Sequence, residues 1–115
     1  MDALEWIATR EPRPPAALVA RMTRALTEHP ASAGAPIHSQ LVTAATAILA
    51  SGTLAAAPTD DTGDCLDIRT SDRRGALDLL AADALVTYAM EYASDDCASF
   101  DAVAGSAMRA ISDLR

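Results

Sequence analysis

Three aspartates within five positions, Asp60, Asp61 and Asp64, form the densest group of hard oxygen donors in this 115-residue chain. Carboxylates set so close repel one another unless a cation neutralises them, and magnesium or calcium is held through such oxygens. The calcium loop of a helix–loop–helix hand asks for glycine at its sixth position and a carboxylate at its twelfth. Counted from Asp60 these places hold Cys65 and Ser71, so that loop is excluded.

Three other groups have the residue types for chemistry. Asp83, Thr87 and Glu91 recur every four residues and align on one helix face, where paired carboxylates would shift in pKa if they were buried together. A solvent-facing stripe is the simpler expectation for them. His29 and His38 titrate near neutrality as a type but lack HxxH or ExxH spacing and a third ligand, so His29 is expected at a helix end and His38 on a first-turn surface. Cys65 and Cys97 flank opposite ends of a helix expected over 73–94, roughly 33 Å long at about 1.5 Å per residue, so both thiols are expected to be reduced and unbridged.

Asp61-Thr62-Gly63 spells the catalytic triplet of aspartic proteases, yet it comes after Leu54-Ala55-Ala56-Ala57-Pro58 and not after the hydrophobic strand of an all-β domain. A second resemblance fits the helical context better. Asp60-Asp61-Thr62-Gly63-Asp64, then Arg73-Arg74-Gly75, then the stretch from Asp83 to Glu91, resemble in order the aspartate-rich segment of trans-prenyl diphosphate synthases and the stretches downstream of it. That all-helical family uses the aspartates to hold magnesium against an allylic diphosphate and the arginines to contact phosphate. The resemblance therefore implies Asp60, Asp61 and Asp64 as metal ligands, magnesium as the cofactor and a diphosphate as the ligand. It covers residues 60–92 alone. Ala82 stands where the family has glycine, and a second aspartate-rich motif is absent.

The elements that would position these residues are helical throughout. Half of the residues are apolar, alanine is the commonest type, and clusters of Val, Ile, Thr and aromatics are missing, which favours helix over strand. Asp2 can cap a short first helix that the prolines from Pro12 to Pro15 end. Pro15 suits the first turn of a second helix with Leu18, Met22, Ala25 and Leu26 inward and Arg21, Arg24 and Glu28 outward. Pro36 opens a third helix with Ile37, Leu41, Ala44, Ala45 and Ile48 on one stripe, and Gly52 is its natural stop. Ser71 is expected to cap the fourth, in which Leu77, Leu80, Ala81, Ala84 and Tyr88 make one apolar stripe and Leu79, Val86 and Met90 another. Ser99 is expected to cap the fifth, with Phe100, Ala104, Ala107, Met108, Ile111 and Leu114 inward. The fold class is all-α, a single helical-bundle domain over 1–115 with four main helices and a short N-terminal one.

Charge narrows the function. The net charge is −7, and all of it lies after Pro58, because four arginines balance four carboxylates before it. Such a chain opposes nucleic acid and anionic lipid, which need a basic patch to displace their counterions. The start Met1-Asp2-Ala3-Leu4-Glu5 has neither the basic opening nor the apolar run of a secretory leader, so a cytoplasmic location is expected. The uncharged stretch 41–58 is dominated by Ala, Ser and Thr and broken by Gly52 and Pro58, which argues against a membrane span of about 20 apolar residues.

The residues thus leave two function classes. The preferred one is a non-catalytic protein–protein interaction module that forms a homodimer through the third or fourth helix, because Leu41, Ile48, Leu49, Val86 and Met90 ask for more cover than five short helices offer. The alternative is a magnesium-dependent diphosphate-binding protein or enzyme remnant using Asp60, Asp61 and Asp64.

Overall fold

The computed structural model describes the backbone of residues 1–55, 65–95 and 97–114 and the side chains of 1–51, 73–95 and 100–114. The described residues form five α-helices and no strand: α1 (Ala3–Ala8), α2 (Ala16–Glu28), α3 (Ile37–Ala55), α4 (Cys65–Ser94) and α5 (Cys97–Ser112). The all-α expectation holds.

Helix α3 lies at the centre, packed most extensively on α4 and also touching α1, α2 and α5. Its expected stripe is the one that is buried: Ile37, Leu41, Ala44, Ala45 and Ile48 all face the core. Opposite them stand Ala81, Ala82, Leu85 and Ala89 of α4. Alanines on both sides let the two backbones approach closely, and the larger Leu41, Ile48 and Leu85 fill the remaining space. Full burial of each of these three stabilises the fold by about 1.5–3 kcal/mol relative to exposure.

Helix α1 closes one end of this seam. Asp2 accepts from the Glu5 backbone N–H while the Glu5 carboxylate accepts from that of Asp2, a reciprocal capping box that fixes the first turn. Ala3, Trp6 and Ile7 then enter the core. The Ala3 N–H donates to Gln40 Oε1 at 3.2 Å, and Gln40 Nε2 donates to the Ala35 carbonyl at 3.0 Å, so one α3 side chain ties down both α1 and the α2–α3 connection. That connection turns at Gly34, whose φ of 78° is the left-handed conformation that glycine adopts without steric cost.

Several expectations are corrected. Helix α3 runs through Gly52 to Ala55, since one glycine costs a helix only about 1 kcal/mol. Helix α4 begins at Cys65, so Ser71 lies inside it and does not cap it; residues 65–72 contain no glycine or proline to stop it. The inward face of α4 is the alanine face, leaving Leu79 and Leu80 at 63% and 58% exposure. Helix α5 docks through Val103 and Ala107, one edge of its apolar stripe, while Phe100, Met108 and Ile111 on the other edge are open to solvent. Leu41 and Ile48, expected to need a second subunit, are fully covered within one chain. No described helix is long and apolar enough to cross a membrane.

Candidate functional site

Asp60, Asp61 and Asp64 lie outside the described residues, as do the side chains of Cys65 and Cys97. Among the described residues, no three His, Cys, Asp or Glu side chains are grouped to hold a metal ion. Asp83, Thr87 and Glu91 face solvent along α4, as expected of a wet stripe. With Arg10, Glu11, Pro12, Ala84 and Tyr88 they line a shallow groove of about 270 Å³. Arg10 Nη1 stands 3.9 Å from Glu91 Oε2 across it, a long and half-exposed ion pair that contributes little to stability.

Beneath that groove sits an aromatic cluster. The Trp6 ring meets Tyr88 and Tyr92 edge-on, with centroids 5.9 and 5.6 Å apart, and the Arg10 guanidinium lies 4.6 Å from the Trp6 centroid. Edge-to-face pairs set the positive rim of one ring against the negative face of another, and a cation is drawn to the same face. Burial pushes the Tyr88 phenol above its ordinary value, and the nearby Glu91 carboxylate adds to that shift. His38 is half-buried, its ring 6.3 Å from that of Tyr92, and so is not the surface residue expected. His29, by contrast, is exposed at the end of α2, as expected.

A larger cleft opens elsewhere, between α2, α3 and α4. Arg21, Arg24, Glu28, His29, Ser51, Arg74, Leu77 and Asp78 surround about 540 Å³. Arg21 does not turn outward as its helical position suggests; its Nε donates to Asp78 Oδ1 at 2.6 Å, joining α2 to α4 in a partly buried bond. Arg24 does face solvent, and its Nε donates to Glu28 Oε1 at 2.8 Å. That hydrogen bond holds the Glu28 carboxyl below its usual range and raises the Arg24 guanidinium. No local pattern in the sequence announces this cleft, because the two arginines of α2 meet Arg74 and Asp78 only after the helices pack.

The remaining feature is apolar. Phe100, Met108 and Ile111 fall within one arc of α5 about 80° wide, since eleven residues return to within about 20° of the same helix face and eight to within about 80°. Their exposures are 37%, 69% and 39%. Helices α4 and α5 pack against each other. Leu79, on α4, is also exposed. No protein-family model, curated protein or solved structure matches the chain.

Proposed function

We propose that this chain is a helical interaction module that works as a homodimer, joined through the open apolar edge of the α4–α5 pair. The observation that supports the reading is the exposure of Phe100, Met108 and Ile111 on one stripe of α5, with Leu79 exposed on α4, the helix that α5 packs against. Apolar side chains gathered on one face cost free energy by standing in water, and exposed patches of this kind mark partner surfaces.

The occupant is a second copy. Each chain has a net charge of −7, so copies repel through most of their surfaces. Positions 100, 104, 107, 108 and 111 of the stripe are uncharged, so two copies related by a two-fold axis can set apolar side chains against one another there. The α3 surface, the other interface expected from the sequence, is less suited, because Leu41 and Ile48 are already covered within one chain.

Met108→Glu combined with Ile111→Glu tests the reading by light scattering. The expected result is a folded chain of unchanged helicity and half the parental mass, since carboxylates desolvated against apolar neighbours lack partners. A double variant that keeps the parental mass would contradict the proposed interface.

A further inference from the structure

We infer that the cleft between α2, α3 and α4 binds a small phosphorylated anion through Arg21, Arg24 and Arg74. The site is independent of the dimer reading, for α5 contributes nothing to its lining.

Anchoring of the guanidiniums is the first reason. A guanidinium has five N–H donors in a rigid fork, and Arg21 and Arg24 each use Nε for a carboxylate. Their terminal amino groups have no hydrogen bond among the described residues and remain available for a ligand. Asp78 and Glu28 thus fix the side chains without occupying the ends that recognise an oxyanion. Part of the ordering entropy that would otherwise oppose binding is already spent.

Charge is the second. The lining holds three arginines against two carboxylates, with His29 and the Ser51 hydroxyl beside them. Both carboxylates already neutralise a partner, and Arg74 has no carboxylate partner among the described residues. On a chain of net charge −7 this is a local reversal of sign. It suits a small anion better than a polyanion, which a chain of net charge −7 repels as a whole.

Size and shape are the third. A volume of about 540 Å³ falls within the range of about 300–1,000 Å³ typical of small-molecule sites. Guanidiniums contributed by two different helices suit a phosphoryl group, whose several oxygens accept from more than one direction. The Leu77 side chain supplies an apolar wall for the organic part of a phosphate ester.

The test uses the full chain in EDTA at constant ionic strength, titrated with inorganic phosphate and, separately, with ribose 5-phosphate, by calorimetry and thermal melting. Saturable binding of either probe and a rise in Tm beyond that of an equal concentration of chloride are expected, because a ligand bound to the native state alone stabilises it. Tighter binding of the ester identifies an organic phosphate as the natural class; equal binding identifies free phosphate. Arg24→Gln with Arg74→Gln, both exposed and so compatible with folding, should keep the parental helicity and ligand-free Tm while losing at least about tenfold in affinity. Absence of saturable binding, or parental affinity in the folded double variant, would overturn the inference. So would binding that is absent in EDTA, appears when the titration is repeated with magnesium in its place, and disappears with Asp60→Asn, which would assign the ligand to the aspartate-rich segment instead.

Discussion

Arg21 Nε on α2 lies 2.6 Å from Asp78 Oδ1 on α4, a charged hydrogen bond between side chains 57 positions apart in sequence. Both side chains are more than two-thirds removed from solvent. The pair joins α2 to α4 and forms part of the wall of the α2–α3–α4 cleft.

Removing one partner leaves the other largely desolvated and unpaired. Arg21→Gln and Asp78→Asn are each expected to destabilise the fold by about 1 kcal/mol, less than a fully buried charged bond because water still reaches the pair. Urea unfolding of both single variants and the double variant forms a cycle, in which the double should cost less than the sum of the singles. Additive costs would mean that the two residues act separately.

The α3–α4 seam tolerates no bulk at Ala45, which has no exposed surface. Ala45→Arg places a guanidinium among Leu41, Ile48 and Leu85 without a partner and is expected to cost more than about 4 kcal/mol, enough to abolish cooperative unfolding. Ala20→Arg, on the exposed side of α2, should change stability by no more than about 0.5 kcal/mol. Thermal melts followed by circular dichroism check both expectations.

Burial raises the Tyr88 phenol, so the folded chain holds that proton more tightly than the unfolded chain does. The resulting stability is complete below the ordinary phenol value of about 10 and is lost as pH rises through the higher folded value. In a Tyr92→Phe variant the remaining phenol should ionise above the ordinary value when followed by tyrosinate absorbance. Ionisation at or below that value would show that the Trp6 cluster leaves Tyr88 well hydrated.

The core of α3 is legible in the sequence because Ile37, Leu41, Ala44, Ala45 and Ile48 repeat at helical spacing and no charge interrupts them. Asp2 as a cap is legible for the same local reason: its geometry involves only Glu5. What escapes a reading of the sequence is whatever depends on how helices rotate against one another. Leu79 and Leu80 look more hydrophobic than Ala81 or Ala89, yet the alanines are buried, because small side chains permit the closest approach of α3 to α4. Arg21 looks like a surface residue until Asp78 is brought opposite it. Trp6 sits in a helix too short to suggest a core role, and only the packing of α1 in the bundle sets it against Tyr88 and Tyr92. The aspartates at 60, 61 and 64, which dominate the sequence as potential ligands, lie outside the described residues and still rest on the sequence alone.

Homodimerisation through α4 and α5 is tested most directly by sedimentation equilibrium of the unmodified chain from low to high micromolar concentration. A species of about twice the 11.9 kDa chain mass, dissociating on dilution or persisting throughout, is the expected result. A single-chain mass at high micromolar concentration would contradict it.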